Sequence, residues 1–196
     1  MDCIELSIKS LEDESKKLAK QIEKKYKPDA VIFIARGGFL IGRVVSENFN
    51  IPLIAITAER SGNTIKNIVS PMLPYIPRFI CDFLRKVEIK SDIHKTCTDR
   101  KVALINKNID ISKFKKLPII DDSVDTGLSM IAVVKKIKEM HPIADIKTAA
   151  INVLSNSEDV IKIDFYNFKD LIMRTPMSKD SKEYKAFEKI YSSYNN

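Results

Sequence analysis

The residues best equipped for chemistry form one short segment, Asp121-Asp122-Ser123-Val124-Asp125-Thr126-Gly127-Leu128-Ser129, which follows the apolar run Leu117 to Ile120. The apolar run predicts a buried strand, so two adjacent carboxylates stand at a strand end. A helix is predicted directly afterwards, because Met130, Val133, Val134, Ile137 and Met140 recur on one face until Pro142 stops the pattern. The first turn of a helix offers unpaired amide hydrogens and the positive end of its dipole, worth about half a unit charge. The amides near Thr126 to Ser129 therefore suit a phosphate. Gly127 permits close approach, and the Thr126 and Ser129 hydroxyls add hydrogen bonds. Asp121 and Asp122 would then face what lies beside that phosphate: vicinal hydroxyls, which donate to carboxylates, and a magnesium ion held directly or through water. The ligand class that fits is a sugar phosphate.

At average residue frequencies this acid-acid-x-x-Asp-Thr-Gly-x-Ser/Thr pattern arises by chance in on the order of one chain in ten thousand. Asp-Thr-Gly also occurs in aspartic proteases, but those are all-β and here a helix follows. A Walker A loop would require Gly-Lys-Ser/Thr at fixed spacing from a first glycine, which this chain lacks. A purely structural N-cap cluster is the remaining competitor, although three acids within five residues repel one another without a cation.

Positioning these groups requires a particular set of elements. Ser10 with Asp13 makes a capping-box pattern for a helix over about 11–26, ended by Pro28. Val31-Ile32-Phe33-Ile34 is a β-branched-rich strand of the kind buried on both faces of a parallel sheet. The chain then turns on Gly37-Gly38, enters a helix through Phe39, Leu40, Val44 and Val45, and continues into a strand from Leu53 to Thr57. Residues 60–100 carry Pro71, Pro74 and Pro77 and an amphipathic stretch from Tyr75 to Val87, which predicts an insertion with one helix that packs or makes a dimer contact. Strands are expected at 101–106, 117–120 and 146–153, an edge strand at 163–166 and a closing helix at 182–191. The alternation predicts an α/β, doubly wound, mainly parallel sheet in a single domain over 1–196. In such sheets ligands bind beyond the carboxyl ends of strands, where both the Gly37-Gly38 turn and the Asp121 segment fall.

Composition narrows the function classes further. With 196 residues, 44% of them hydrophobic, the chain can bury a core large enough to hold a charged site in place. No apolar stretch approaches the roughly 20 residues needed to cross a bilayer, so no membrane partner is expected. The start of the chain lacks the pattern of a secretion signal, and the three cysteines, Cys3, Cys81 and Cys97, form no CxxC pair. Reduced thiols and a cytoplasmic setting are the expectation. The net charge of +7 comes from scattered lysines rather than one basic element with interleaved aromatics. It therefore reads as a solvated face that steers a polyphosphate inward, not as a nucleic-acid surface.

Residues Leu117 to Met130 resemble the phosphoribosyl pyrophosphate motif of type I phosphoribosyltransferases. Ala35-Arg36-Gly37-Gly38-Phe39-Leu40 is similar to that family's pyrophosphate loop, in the form seen in xanthine and hypoxanthine-type purine enzymes. The resemblance extends loosely over about 10–178 and implies a small hood at about 155–180. It also implies a homodimer and a magnesium-dependent transfer of ribose 5-phosphate from phosphoribosyl pyrophosphate to a nitrogen acceptor, with a purine-like base favoured. By motif position, Asp121 and Asp122 would hold ribose hydroxyls and magnesium, and Asp125, Thr126, Gly127, Leu128 and Ser129 would cradle the 5-phosphate. Asp125 would also be a proton acceptor near the base, while Arg36, Gly37 and Gly38 would stabilise the leaving pyrophosphate across an expected cis peptide at Ala35-Arg36. Leu171 and Ile172 would border the base.

The chain departs from the purine pattern at Val153-Leu154-Ser155-Asn156, where relatives carry a base-reading lysine, and at the hood, where they carry an aromatic residue. Phe165, Tyr166 and Phe168 are candidates to compensate. His94 could serve a mobile loop over the substrate, and His141 reads as structural. Two other functions stay open: a phosphoribosyl pyrophosphate-sensing regulator that binds nucleic acid, and a specialised transferase with a non-base acceptor.

Overall fold

Successive residues of the central strands are buried on opposite sides, which is why their sequences read as continuous apolar runs rather than alternating ones. The computed structural model describes residues 3–60, 100–106 and 109–194. Among these, the strands are β1 (Cys3–Glu5), β2 (Val31–Ala35), β3 (Leu53–Arg60), β4 (Arg100–Leu104), β5 (Lys116–Val124), β6 (Asp145–Val153), β7 (Phe165–Lys169) and β8 (Ile172–Arg174). The α-helices are α1 (Ile8–Glu23), α2 (Phe39–Phe49), α3 (Leu128–Met140) and α4 (Tyr184–Tyr194).

Six strands form one sheet in the order β4-β3-β2-β5-β6-β7, parallel throughout except for the β3–β4 pair. Val31 and Phe33 join Leu11, Leu18 and Phe39 in one core with Phe187 and Tyr191 of α4. Ile32 and Ile34 join Ile119, Met130, Val133 and Ile137 in the core on the other face. Helices therefore cover both faces, as a doubly wound sheet requires. No helix among the described residues is long and apolar enough to cross a membrane.

From β2 the chain winds outward through α2 to β3, and from β5 it winds the other way through α3 to β6. Strands β2 and β5 are nevertheless neighbours, with Ile32 opposite Ile119 and Phe33 opposite Ile120. This reversal opens a crevice at their carboxyl ends, the usual ligand position in such sheets.

Several boundaries differ from the sequence reading. Helix α1 starts at Ile8, capped by Ser7, whose Oγ accepts from the Ser10 amide while Ser10 Oγ accepts from the Ser7 amide. Ser7 has the extended backbone a cap needs, and Asp13 instead pairs with Lys16 on the solvent side. The strand expected at 163–166 starts later, at Phe165, because Asp164 spends its carboxylate on the Thr148 amide and hydroxyl just before the ladder. It does lie at the sheet edge. Two short strands, β1 and β8, were not anticipated; they pair parallel, Cys3 with Ile172 and Glu5 with Arg174, and form a separate two-stranded sheet, called the hood below. The expected insertion helix at 75–87, and His94, lie outside the described residues.

Candidate functional site

Strand β5 does not stop at Ile120 but continues to Val124, so Asp121 and Asp122 belong to the strand's last turns and are fixed by the ladder to β6. Asp121 pairs with Ala150 and Ser123 with Asn152 across that ladder. The Asp122 amide donates to Asp121 Oδ1 at 2.9 Å, and the Ser123 amide donates to Asp122 Oδ1 at 2.9 Å. Thr175, buried in the hood, donates its hydroxyl to Asp122 Oδ2 at 2.9 Å. Asp122 thus has a donor on each oxygen, while Asp121 has one from its neighbour's backbone.

Asp121 and Asp122 are half-buried as residues, and their carboxyls lie deep among protein atoms. Loss of hydration is the largest cause that pushes Asp121 well above the usual carboxylate range, with repulsion from Asp122 adding to it. Asp122 is also raised, chiefly by loss of hydration, with the Thr175 hydroxyl pulling the other way. Two acids so arranged favour a ligand that brings positive charge or hydrogen-bond donors.

Beyond them, Gly127 takes φ +74°, a conformation that a side chain resists, and starts α3. A Cβ there would meet Ile161 Cγ2 at 2.8 Å, so both backbone and packing call for glycine. The turn leaves the first amides of α3 without intrahelical acceptors. A cavity of about 100 Å³ opens at this point, lined among others by Asp121, Asp125, Thr126, Gly127 and Ser129, with Arg100 of β4 at its rim. Leu128 lines a neighbouring groove with Ile131 and Ala132.

A second cavity, about 160 Å³, lies under the hood and is lined by Asp122, Ser123, Asp125, Leu171, Ile172 and Ser178, with Met173. Ser123 and Asp125 line both cavities, and Ser123 Oγ donates to Asp125 Oδ1 at 2.8 Å. A molecule that fills both would therefore cross Asp125. The hood strand is held by Asn152, fully buried, whose amide nitrogen donates to the Leu171 carbonyl at 2.9 Å and whose oxygen accepts from the Leu171 amide at 3.4 Å. Ser155, in the stretch Val153-Leu154-Ser155-Asn156, binds Asp170 through both its amide and its hydroxyl at 2.7 Å. Phe165 is in the core, Phe168 packs against it and Tyr166 is exposed, so none of the three lines the hood cavity. His141 caps the end of α3 and is buried.

The glycine turn closes the third side. The Ala35–Arg36 peptide is cis. A Cβ on Gly37 would lie 2.5 Å from Asp122 Oδ1 and 2.9 Å from Asp121 Oδ1, and one on Gly38 would collide with the Ile120 carbonyl oxygen. The backbone of this turn therefore presses directly on the acid pair, a contact only glycine allows. Arg36 turns its side chain toward α4, where it pairs with Glu188 and lies 4.9 Å from the Tyr191 ring centre and 5.5 Å from that of Phe187. Sequence reasoning missed Asn152, Thr175, Arg100 and Glu188. Each is remote in sequence from the motif it contacts, and none has a neighbour pattern that marks it.

Comparison with known proteins agrees with this architecture. A purine phosphoribosyltransferase from Pyrococcus horikoshii Ot3 superposes with a TM-score of 0.61 at 21% identity, over 90% of this chain and 93% of its own. A xanthine-guanine-hypoxanthine phosphoribosyltransferase from Helicobacter pylori gives 0.64 at 17% identity, over 95% and 99%. A hypothetical protein from Neisseria gonorrhoeae, solved with bound ppGpp, gives 0.62 at 15%, over 98% and 97%. Likeness at these identities speaks for the fold alone, and no curated protein matches the chain in sequence. The phosphoribosyl transferase domain family matches residues 6–172, which contain the acid strand, the start of α3 and the glycine turn, and the chain belongs to that family.

Proposed function

We propose that the chain transfers ribose 5-phosphate from phosphoribosyl pyrophosphate to a nitrogen acceptor, a purine-like base being favoured, with release of pyrophosphate. The observation that carries this reading is the contact of the Gly37-Gly38 turn with the Asp121-Asp122 pair, next to the open start of α3. One elongated ligand with a phosphate at one end, hydroxyls in the middle and a diphosphate at the other matches that order of groups.

The first amides of α3, with the Thr126 and Ser129 hydroxyls, hold the 5-phosphate. Asp121 and Asp122 accept from the ribose hydroxyls and fix the ring. The amides of Gly37 and Gly38 and the Arg36 guanidinium take up charge that develops on the departing pyrophosphate. Asp125, at the boundary of the two cavities, accepts the proton that the nitrogen acceptor loses as it bonds to the anomeric carbon. Leu171 and Ile172 form the apolar wall of the acceptor cavity.

Asp121 and Asp122 also fit magnesium. Among the described residues no group of three or more His, Cys, Asp or Glu is placed to cage a metal. Magnesium commonly uses only one or two carboxylates together with substrate oxygens, and two acids whose charge is disfavoured by burial are suited to that role. When bound there, the ion would supply positive charge against the pyrophosphate oxygens. A homodimer, tested by sedimentation, completes the reading.

The test is to incubate the full chain with phosphoribosyl pyrophosphate, magnesium and a panel of purine bases, other bases and amines, following pyrophosphate release and product mass. A nucleotide product supports the purine-like reading, and a mass matching an amine adduct supports the non-base acceptor. No turnover with any member, in the presence of tight substrate binding, favours the sensor reading. That reading rests on the +7 charge and requires salt-dependent nucleic-acid binding that the activated sugar alters.

A further inference from the structure

Arg36, assigned above to the departing diphosphate, is gripped by α4. Its guanidinium lies over the stacked rings of Phe187 and Tyr191, 5.5 and 4.9 Å from their centres, and the Glu188 carboxylate neutralises it. Cation–π contacts use the face of a guanidinium and leave its N–H edges for anions. Glu188 takes such an edge, which is what a diphosphate oxygen would also need. We infer that Glu188 is a displaceable counter-ion: it holds Arg36 against the aromatic pair in the free protein and gives up the guanidinium to the diphosphate of the substrate. This inference rests on the functional reading of Arg36 given above.

Exposure decides between displacement and permanent pairing. The Arg36 and Glu188 side chains are 43% and 38% exposed, so their attraction is screened and adds little net stability. A diphosphate brings more charge and several charge-assisted hydrogen bonds, and so outcompetes a single carboxylate. The aromatic pair, by contrast, is built in. Phe187 is fully buried and Tyr191 nearly so, and Phe39 packs 5.0 Å from the Tyr191 ring. Helix α4 is further anchored by Glu183, which accepts from the Ile8 amide, and by Tyr194, which donates to the Leu53 carbonyl. Loss of Glu188 therefore leaves the helix intact and the guanidinium held by the rings alone, and removes the competitor.

The experiment is calorimetric titration of the full chain and its variants with magnesium pyrophosphate. Glu188→Gln is expected to tighten binding about two- to fivefold, the range set by an exposed ion pair, with the gain shrinking at high salt. Glu188→Asp, which keeps the charge, returns affinity toward wild type. Arg36→Gln weakens binding by about tenfold or more, as expected for loss of a charge-assisted contact, and adding Glu188→Gln to it yields no further gain. Unchanged or weaker binding by a well-folded Glu188→Gln variant overturns the counter-ion role while leaving the function intact. So does a gain that persists without Arg36, since that would be a general field effect. If wild type and Arg36→Gln bind pyrophosphate equally, or neither binds it, the assignment of the glycine turn fails and this inference with it.

Discussion

Replacing Asp121 by Asn should make the substrate-free protein more stable while it abolishes transfer. Asp121 is destabilising when charged, first through lost hydration and then through repulsion from Asp122. Asparagine keeps the Oδ1 acceptor that receives the Asp122 amide at 2.9 Å, so the local backbone bond survives and only the charge is removed. Relief of this kind at a binding site is worth on the order of 1 kcal/mol, which in a chain of this length raises Tm by about 2–4 °C. The pH dependence fixes the sign. A carboxyl whose folded-state pKa is raised holds its proton more tightly when folded, so its penalty is absent below its unfolded pKa, grows as pH rises and is complete above its folded pKa. The gap between variant and wild type should therefore be widest at pH 7.5 and shrink as pH falls toward 4. Differential scanning calorimetry across that range, with and without magnesium phosphoribosyl pyrophosphate, reads both effects. The ligand should stabilise wild type and not the variant. A lower Tm for the variant at pH 7.5, or a gap that widens in acid, would refute the electrostatic account of the acid pair.

Other perturbations probe the supports around that pair. Thr175→Val removes the hydroxyl that holds down the proton affinity of Asp122, so the acid limb of the kcat/KM profile should move to higher pH; an unmoved limb would detach the hood from the chemistry. Gly38→Ala drives a methyl into the Ile120 carbonyl and should cost about 1–3 kcal/mol, measured by denaturant unfolding. Gly37→Ala meets movable carboxylates instead, so its main effect should be a large loss of substrate affinity with a smaller loss of stability. Asn152→Ala strands both backbone groups of Leu171 and should cost about 1–3 kcal/mol, raising KM for the acceptor more than for the activated sugar.

The doubly wound core was legible in sequence because its strands are buried on both faces and its helices are amphipathic, and both patterns leave a periodic trace. The acid strand and the glycine-led start of α3 were legible for a different reason: all of their groups come from one contiguous run, 121–129, in which spacing and geometry are the same information. The glycine turn was visible as a turn, but its pressure against Asp121 and Asp122 exists only because β2 and β5 are neighbours. Strands β1 and β8, of three residues each, are too short to show alternation, and they form only by pairing with one another across nearly the whole chain. Asn152 reads in sequence as a polar interruption near the end of an apolar strand. Its meaning appears only when its amide is found clamping the hood, and Glu188 likewise reads as one more acid on a charged helix until Arg36 is placed beside it.

The division of labour around Asp125 explains how such a site can keep its fold while its sequence drifts to the 15–21% identity seen against similar structures. On one side, the start of α3 relies on backbone amides and on Gly127, whose positive φ and close packing leave no substitute. The requirement falls on few side chains, so the rest of α3 is free to vary wherever it stays apolar. On the other side, the cavity under the hood is walled by Leu171, Ile172 and Met173, whose strand reaches the sheet through Asn152, Thr175 and the Asp170–Ser155 pair. Under the proposed function, a change in that hood would alter which acceptor is received without disturbing how the sugar phosphate is held. Specificity can therefore evolve in the hood while the electrostatics at the carboxyl ends of β2 and β5 stay fixed.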